Sequence, residues 1–491
     1  MLSTPSRPPR RNDDRVVLHF DYDCFYAQVV EHCVPAAAAA AAAGGCVGVT
    51  QKSILATCNY AARRRGVRKL MRIHEARRVC PDLVLVDGED LSPFRDASKQ
   101  LYQLVQDIVG GDGGGGRGGG GDAVLVERLG LDEVFVDATR LVDANAVRLR
   151  GPPRAFFRLP GGEVHGNGKD DDDDDNGEAG ERGFFFDART IPGHVIGGDA
   201  SSPSARAEAN ARLRFRLLLG AHLAAYIRRR LDHDAGYAAS GGIATSKLLS
   251  KLAGTQHKPA AQTTLVSAVD GTEEDGGGGD GGDSVVQIFL DALPLRRVVG
   301  IGAKTSRLLA DYVLAGGTTA RHDNGDGDGN GDGDGHDAPV VTVADVRTFP
   351  GMSAALLDAI LTGAARRSPP AGAAPTTTAT ATNGNIPNGA RVWALLHGVD
   401  DAPVRAPRDL PTQISIEDTG ANDHNRGPSD GRRRHDDGKG YDDNDDDNNN
   451  NDGWVAEDDQ GGGALAVCKQ CGQGLPAFAR AAHARYHLLG D

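Results

Sequence analysis

The chain has 491 residues, enough for roughly two to four domains with their own cores, and a formal net charge of −14 at pH 7. That total hides a division: residues 170–175, 273–283, 323–337 and 418–459 carry −6, −5, −6 and −9, which leaves +12 on everything else, the balance expected of a nucleic-acid binder. Seven cysteines, five of them scattered, exclude a disulfide framework, and no apolar run suits a signal peptide or a membrane span; a soluble intracellular protein without a membrane partner is expected.

In chain order, Arg7-Pro-Pro-Arg-Arg11 near the start and Arg432–Arg434 far downstream read as nuclear-import signals or as plain solvated charge. Residues 16–26 open with the strand-forming Val16, Val17, Leu18 and Phe20 and end on two carboxylates, Asp21 and Asp23. A charge at the lip of a buried strand needs compensation. A bound cation supplies it and brings chemistry; an N-cap for a helix starting near Phe25 is the equal alternative. After the apolar Ile54, Leu55 and Ala56 come Thr57, Tyr60 and Arg63, whose hydroxyl, phenol and guanidinium can converge on a triphosphate at a helix start, unless Arg63–Arg65 simply form a basic helix face.

Residues 124–137 read as two apolar runs joined through a glycine, a hairpin with Asp132 and Glu133 where the second run begins. If that strand neighbours the first, three carboxylates meet and can hold two divalent metals roughly 3.5–4 Å apart, the arrangement for in-line displacement at phosphorus. Taken alone, the pair is a solvated strand end. Leu213, Leu217, Ala221, Ala224 and Leu231 recur at helical spacing before Arg228–Arg230, and Lys247 and Lys251 share a helix face. Gly300, Gly302 and Lys304 lack P-loop spacing and read as a helix–hairpin–helix presenting backbone N–H groups and a cation to a DNA phosphate. Residues 341–361 and 392–404 look like further helices. Low-complexity tracts at 36–45, 110–121, 161–183, 271–283, 323–337, 368–389 and 420–463 cannot offset their ordering entropy and are expected to be disordered. Near the end, Cys468, Cys471, His483 and His487 follow the spacing C-x2-C-x11-H-x3-H, which suits a tetrahedral zinc.

Several stretches in one order carry a resemblance: Phe-Asp-Tyr-Asp-Cys-Phe-Tyr-Ala-Gln-Val (20–29), Thr-Cys-Asn-Tyr-Ala-Ala-Arg (57–63), Gly-Val-Arg-Lys-Leu-Met (66–71), Cys-Pro-Asp-Leu-Val-Leu-Val-Asp-Gly-Glu-Asp-Leu (80–91) and Glu-Arg-Leu-Gly-Leu-Asp-Glu-Val-Phe-Val-Asp (127–137). The chain resembles the Y-family, or translesion, DNA polymerases, and within them the iota branch, which shares Gly130 where most members have Ser. With interruptions the resemblance runs from about residue 16 to 417.

The fold this implies is α+β: a right-hand polymerase core, its palm built on a mixed sheet, with small fingers and a helical thumb bearing the helix–hairpin–helix. Disordered low-complexity insertions and a small C-terminal zinc finger complete it. The expected order is a disordered N-terminus (1–15), palm (16–46), fingers (47–91), palm again (92–270) and thumb (284–410). An acidic linker (411–463) then stands in place of the family's little finger, followed by the zinc finger (464–491). The implied activity is template-directed addition of deoxynucleoside triphosphates to a primer opposite damaged template, in the nucleus. Asp21, Asp132 and Glu133, with Tyr22, would hold two Mg2+ (or Mn2+) ions.

By the same resemblance Tyr26 lies under the sugar, while Gln51 and Lys52 flank the templating base beside a pocket shaped by Ser53, Ile54 and Ala56. Thr57, Tyr60, Arg63 and Lys251 bind the phosphates. The last stretch resembles the ubiquitin-binding zinc finger of the eta branch, implying Zn2+ and ubiquitin or a ubiquitinated sliding clamp. Arg485, however, replaces the aspartate that contacts ubiquitin there, and Arg480 and Arg485 offer cations to DNA instead. Three other readings stay open: a catalytically weak DNA- or ubiquitin-binding adaptor lacking the little finger, another palm-type enzyme such as a nucleotidyl cyclase, and a plain zinc-finger adaptor.

Overall fold

The computed structural model describes residues 9–110, 124–148, 154–160, 182–197, 205–266, 284–316, 340–363 and 388–405, and the backbone of three short strands beyond them. The apolar run at the start forms β1 (Val17–Tyr22). Strand alternation sends Leu18, Phe20 and Tyr22 to one face and Val17, His19 and Asp21 to the other. Cys24, at φ 42°, starts α1 (Phe25–Cys33) with no side-chain cap, so neither carboxylate is an N-cap.

The alanine tract expected to be disordered is instead α2 (Pro35–Ala42), with Ala37 fully buried. Alanine has the highest helix propensity, and a proline in the first turn costs nothing. Next come β2 (Val47–Gln51), β3 (Ile54–Cys58), α3 (Tyr60–Arg64), α4 (Ile73–Val79) and β4 (Val84–Asp87). Their strands form a small sheet, order β3-β2-β4, over a core that includes Leu55, Cys58, Ala62, Val67 and Cys80.

An amphipathic α5 (Ser92–Val109) buries Phe94, Leu101, Val105 and Ile108. The hairpin expected from the sequence follows as β5 (Leu125–Leu129) and β6 (Glu133–Asp137), with Gly130 at φ 67° in the turn. Beyond α6 (Thr139–Arg148), β7 (Arg154–Arg158) and β8 (Gly183–Asp187) pair as a separate ribbon; β9 (His194–Ile196) precedes α7 (Ala205–Ala235). Last in this part are β10 (Ala239–Ala244), α8 (Lys247–Gly254) and β11 (Gln262–Leu265).

The main sheet has the order β5-β6-β1-β10-β11-β9. It is mixed: β1 runs antiparallel to both β6 and β10, while β10, β11 and β9 run parallel. Helix α7 covers one face with the periodic residues read from the sequence, all of them buried. Helix α8 covers the other at very short range. A Cβ built on Gly242 would lie 1.8 Å from the Ser250 carbonyl oxygen and 2.5 Å from the Gly254 nitrogen, so helix and strand touch backbone to backbone.

Leu248, Leu249 and Leu252 of α8 join a second core built by α9 (Val285–Asp291), a 3-10 turn at Leu295–Arg297, α10 (Ala303–Leu314), α11 (Val343–Arg347), α12 (Ala354–Thr362) and α13 (Gly389–Leu396). Helix α13 ends well short of residue 404. The chain after it returns to the sheet instead, where Val404 packs with Val17 and Phe135.

Residues 9–15, expected within a disordered N-terminus, are a strap with defined partners. Asp13 accepts from Thr245 Oγ1 at 2.8 Å, and Arg15 donates to the Asp400 and Ala402 carbonyls at 3.1 and 2.9 Å. Arg11, read as part of an import signal, is almost wholly buried and donates to Ser284 Oγ.

Residues 407–491 form a separate compact unit, in which β12 (Trp454–Ala456), β13 (Leu465–Cys468) and β14 (Gly474–Pro476) pair antiparallel. Thus a strand lies inside the stretch read as a patternless linker. Cys468 ends β13, while Cys471, His483 and His487 lie outside the described residues, as do most of the remaining low-complexity tracts. Among the described residues no helix is long and apolar enough to cross a membrane.

The contact between α8 and β10 leaves no room for a methyl group. Gly242→Ala is expected to lower stability by about 1–3 kcal/mol or more, read from the urea midpoint. An unchanged midpoint would contradict the close approach.

Candidate active site

Strand pairing puts the acidic residues together. Across β1 and β6, Asp21 stands opposite Glu133, and Tyr22 N donates to the Asp132 carbonyl at 2.9 Å. On its other side Asp21 stands opposite Ser240 of β10. Asp21 and Glu133 therefore sit on two neighbouring inner strands of the sheet, with Asp132 in the turn just before β6. The Tyr22 ring is buried in the core, so its main-chain carbonyl is the only part of that residue suited to a cation.

Two lysines face these acids. Lys251, on the α8 surface that Gly242 and Gly254 bring against the sheet, donates to Glu133 Oε2 at 2.6 Å. Lys258, on the loop between α8 and β11, pairs with Asp21. Beneath them His19 is 1% exposed, its Nε2 3.9 Å from Glu133 Oε2 and its ring 4.6 Å from that of Phe135. Burial pushes the His19 imidazole down.

The two adjacent acids respond in opposite directions. Burial would raise Glu133, but His19 and Lys251 more than offset it and hold the carboxyl at about 2, against an ordinary 4.5. Asp132 is pushed up, first by burial and then by the charges of Asp21 and Glu133, with Lys258 opposing. Among the described residues no three acidic, histidine or cysteine side chains are arranged to hold a metal as they stand. The donor set nevertheless suits hard divalent cations. It consists of oxygen ligands with an excess of negative charge at Asp132, and ammonium groups now neutralise two of its members.

Beside the acids, the small sheet brings together the residues read as a phosphate cluster. Arg63 lies over the Tyr60 ring at 4.6 Å, donates to the Cys58 carbonyl at 3.1 Å and reaches Thr57 Oγ1 at 3.3 Å. Tyr26 stacks on Phe94 with ring centroids 4.2 Å apart. Gln51 donates to the Gly88 carbonyl, and Lys52, at φ 53°, donates its N–H to Glu89. Lys247, one turn from Lys251, pairs with Glu127 at 2.7 Å and so braces β5 instead of the acids. Gly300 (φ 93°), Gly302 and Lys304 cluster at the turn into α10, within the helical region rather than at the strand ends.

Sequence reading missed two members. Lys258 sits in a loop with no motif of its own. Asp23, passed over in favour of Asp21, is 2% exposed and accepts from Ser240 Oγ at 2.8 and 2.9 Å, from Ala260 N at 2.7 Å and from Tyr60 Oη at 3.3 Å. It ties the loop carrying Lys258 to the helix carrying Arg63. An acid two residues after Asp21 was the available signal.

Residues 20–255 match the impB/mucB/samB family. The chain is 34% identical over 297 residues to DNA polymerase iota of Drosophila melanogaster, covering 60% of this chain and 31% of that protein. It is 29% identical over 302 residues to DNA polymerase iota of Homo sapiens (62% and 31%) and 27% identical over 315 residues to DNA polymerase eta of Arabidopsis thaliana (61% and 38%). The chain spans about a third of the length of these relatives.

The opposite responses of Asp132 and Glu133 give a paired prediction. Asp132 has its folded pKa raised, so its ionised form costs stability at neutral pH and the cost fades as pH falls. Glu133 has its folded pKa depressed, so its contribution is present above about 4.5 and is lost as pH falls towards about 2. In chelator at pH 7, Asp132→Asn is expected to raise the urea midpoint and Glu133→Gln to lower it. Movement of both in one direction would refute this electrostatic picture.

Proposed function

We propose that this chain, whose residues 20–255 form an impB/mucB/samB-family domain of the Y-family kind, is a template-directed translesion DNA polymerase. The observation that carries the reading is the register that sets Asp21 opposite Glu133, with Asp132 adjoining, next to the cluster of Thr57, Tyr60 and Arg63. In this reading the main sheet with α1, α5, α7 and α8 is the palm. The small sheet with α3 and α4 is the fingers, and α9 to α13 are the thumb. When bound, two Mg2+ or Mn2+ ions on Asp21, Asp132, Glu133 and the Tyr22 carbonyl would acidify the primer 3′-hydroxyl and hold the triphosphate.

The chain's own groups do the rest. Thr57, Tyr60 and Arg63 bind phosphate oxygens, and Lys251 and Lys258 exchange carboxylate partners for the triphosphate's charge. The Tyr26–Phe94 stack offers a flat apolar face to the sugar, and Gln51 and Lys52 flank the templating base. Residues 60–80 hold eight arginines and lysines against one glutamate, a basic surface suited to the template backbone. Gly300, Gly302 and Lys304 would hold a duplex phosphate. A second reading, a catalytically weak DNA- or ubiquitin-binding adaptor, is favoured by one fact: lysines already occupy Asp21 and Glu133.

Primer extension by the full chain with Mg2+ and with Mn2+ decides between them. Asp21→Asn and Asp132→Asn are each expected to cut extension by about 10³-fold or more. Arg63→Ala should raise KM for the nucleotide by about 10–100-fold, the loss of a charge-assisted contact to phosphate. Inactivity of the unaltered chain with both cations would leave the adaptor, and a product formed from nucleotide alone would point to a cyclase.

A further inference from the structure

His19 is a polar ring in a place where packing alone has no use for one. Alternation along β1 puts it on the same face as Asp21, and the register sets it opposite Phe135 of β6 and Gly242 of β10, with Glu133 on the diagonal. Helix α8 lies across that face, and the imidazole beneath it is 1% exposed. Its ring rests against that of Phe135, centroids 4.6 Å apart. Leucine or phenylalanine would fill the same space without burying two nitrogens.

Those nitrogens need explaining. Neither is within hydrogen-bonding distance of a partner among the described residues. Nδ1 meets the α8 backbone: a Cβ built on Gly254 would lie 3.3 Å from it. Nε2 faces Glu133 Oε2 at 3.9 Å, about 1 Å beyond bonding range. That oxygen is held by Lys251 at 2.6 Å. A lone pair on Nε2 would oppose the carboxylate, so the geometry places a hydrogen there, in the neutral ring as in the imidazolium. A buried donor left unpaired is costly, and an acceptor one short step away indicates the state in which it is paired.

We propose that His19 is a positioning residue of the acidic site, donating from Nε2 to Glu133 Oε2 once Lys251 has left that oxygen and the carboxylate holds a divalent cation. The inference rests on the reading of Asp21, Asp132 and Glu133 as cation ligands. A carboxylate released by Lys251 is free to rotate about its last bond. One hydrogen bond from the buried ring keeps it in a single orientation, as an outer donor does for a ligating oxygen. The side chains able to replace the ring follow from reach: glutamine can set an amide N–H where Nε2 stands, asparagine falls short, and leucine has no donor.

The test titrates Mn2+ alone into the full chain and reads the free ion by electron paramagnetic resonance. His19→Leu and His19→Asn are each expected to weaken binding by about 10-fold or more, and His19→Gln by about 3-fold or less. In a Glu133→Ala background His19→Leu should change nothing further, because its acceptor is gone. A purely structural histidine would instead shift the urea midpoint and leave the Mn2+ affinity of the folded protein where it was. The expected affinities in a chain that extends no primer would uphold the role of His19 and sink the polymerase reading. Four results would overturn the assignment: unaltered affinity in His19→Leu and His19→Asn; an equal loss in His19→Gln, which would make the ring itself a ligand; a full His19→Leu effect without Glu133; or no Mn2+ binding by the unaltered chain.

Discussion

Carboxylates crowded onto two neighbouring strands repel one another, and the surrounding structure is arranged to bring positive charge to them. Asp132 shows the repulsion directly, since its neighbours Asp21 and Glu133 add to the effect of burial. Compensation arrives by two routes. Helix α8 delivers Lys251, which it can do only because Gly242 and Gly254 let helix and strand backbones touch. The loop after α8 delivers Lys258. A larger residue at either glycine would lift the helix and take one ammonium away from the acids.

Asp23 plays a different part from its neighbours. Its oxygens accept from Ser240, Ala260 and Tyr60, so hydrogen bonds satisfy it, with the Arg228 guanidinium also near enough to interact. These bonds join β10, the Lys258 loop and α3, three elements from distant parts of the sequence. The cluster of Thr57, Tyr60 and Arg63 and the acidic cluster thereby keep a fixed relation, which reactions requiring groups aligned to within fractions of an ångström demand.

Much of this was legible in the sequence because it is local. The β5–β6 hairpin showed in its two apolar runs around Gly130, α7 in its periodicity, and Thr57, Tyr60 and Arg63 in one short stretch of chain close enough to meet. That β1 and β6 would be neighbours was a guess at topology, and the register supports it. Lys258 and Asp23 were not legible, because their partners lie 237 residues apart in the case of Asp23 and Ala260, and no pattern announces such a pairing. The alanine tract misled for another reason: repetitive composition was read as disorder although alanine is the best helix former. The strap at 9–15 was hidden because its partners, Thr245 and the Asp400–Ala402 stretch, belong to two segments much later in the chain.

The paired lysines bear on how the site would respond to its ligands. An ammonium on a half-buried carboxylate is held by attraction that water screens only in part, so a cation entering the cluster must displace it. A displaced lysine then faces the same space with its charge unmatched, and a polyphosphate would match it. On the proposed reading, Lys251 and Lys258 would leave Glu133 and Asp21 when those carboxylates held a cation, and would turn to phosphate oxygens instead. On that reading a cation alone would leave the two lysines unmatched, and a polyphosphate alone would leave the acids unmatched. Coupling of this kind follows from placing as many ammonium groups as carboxylate partners at the same strand ends, and it would be absent had the acids faced water.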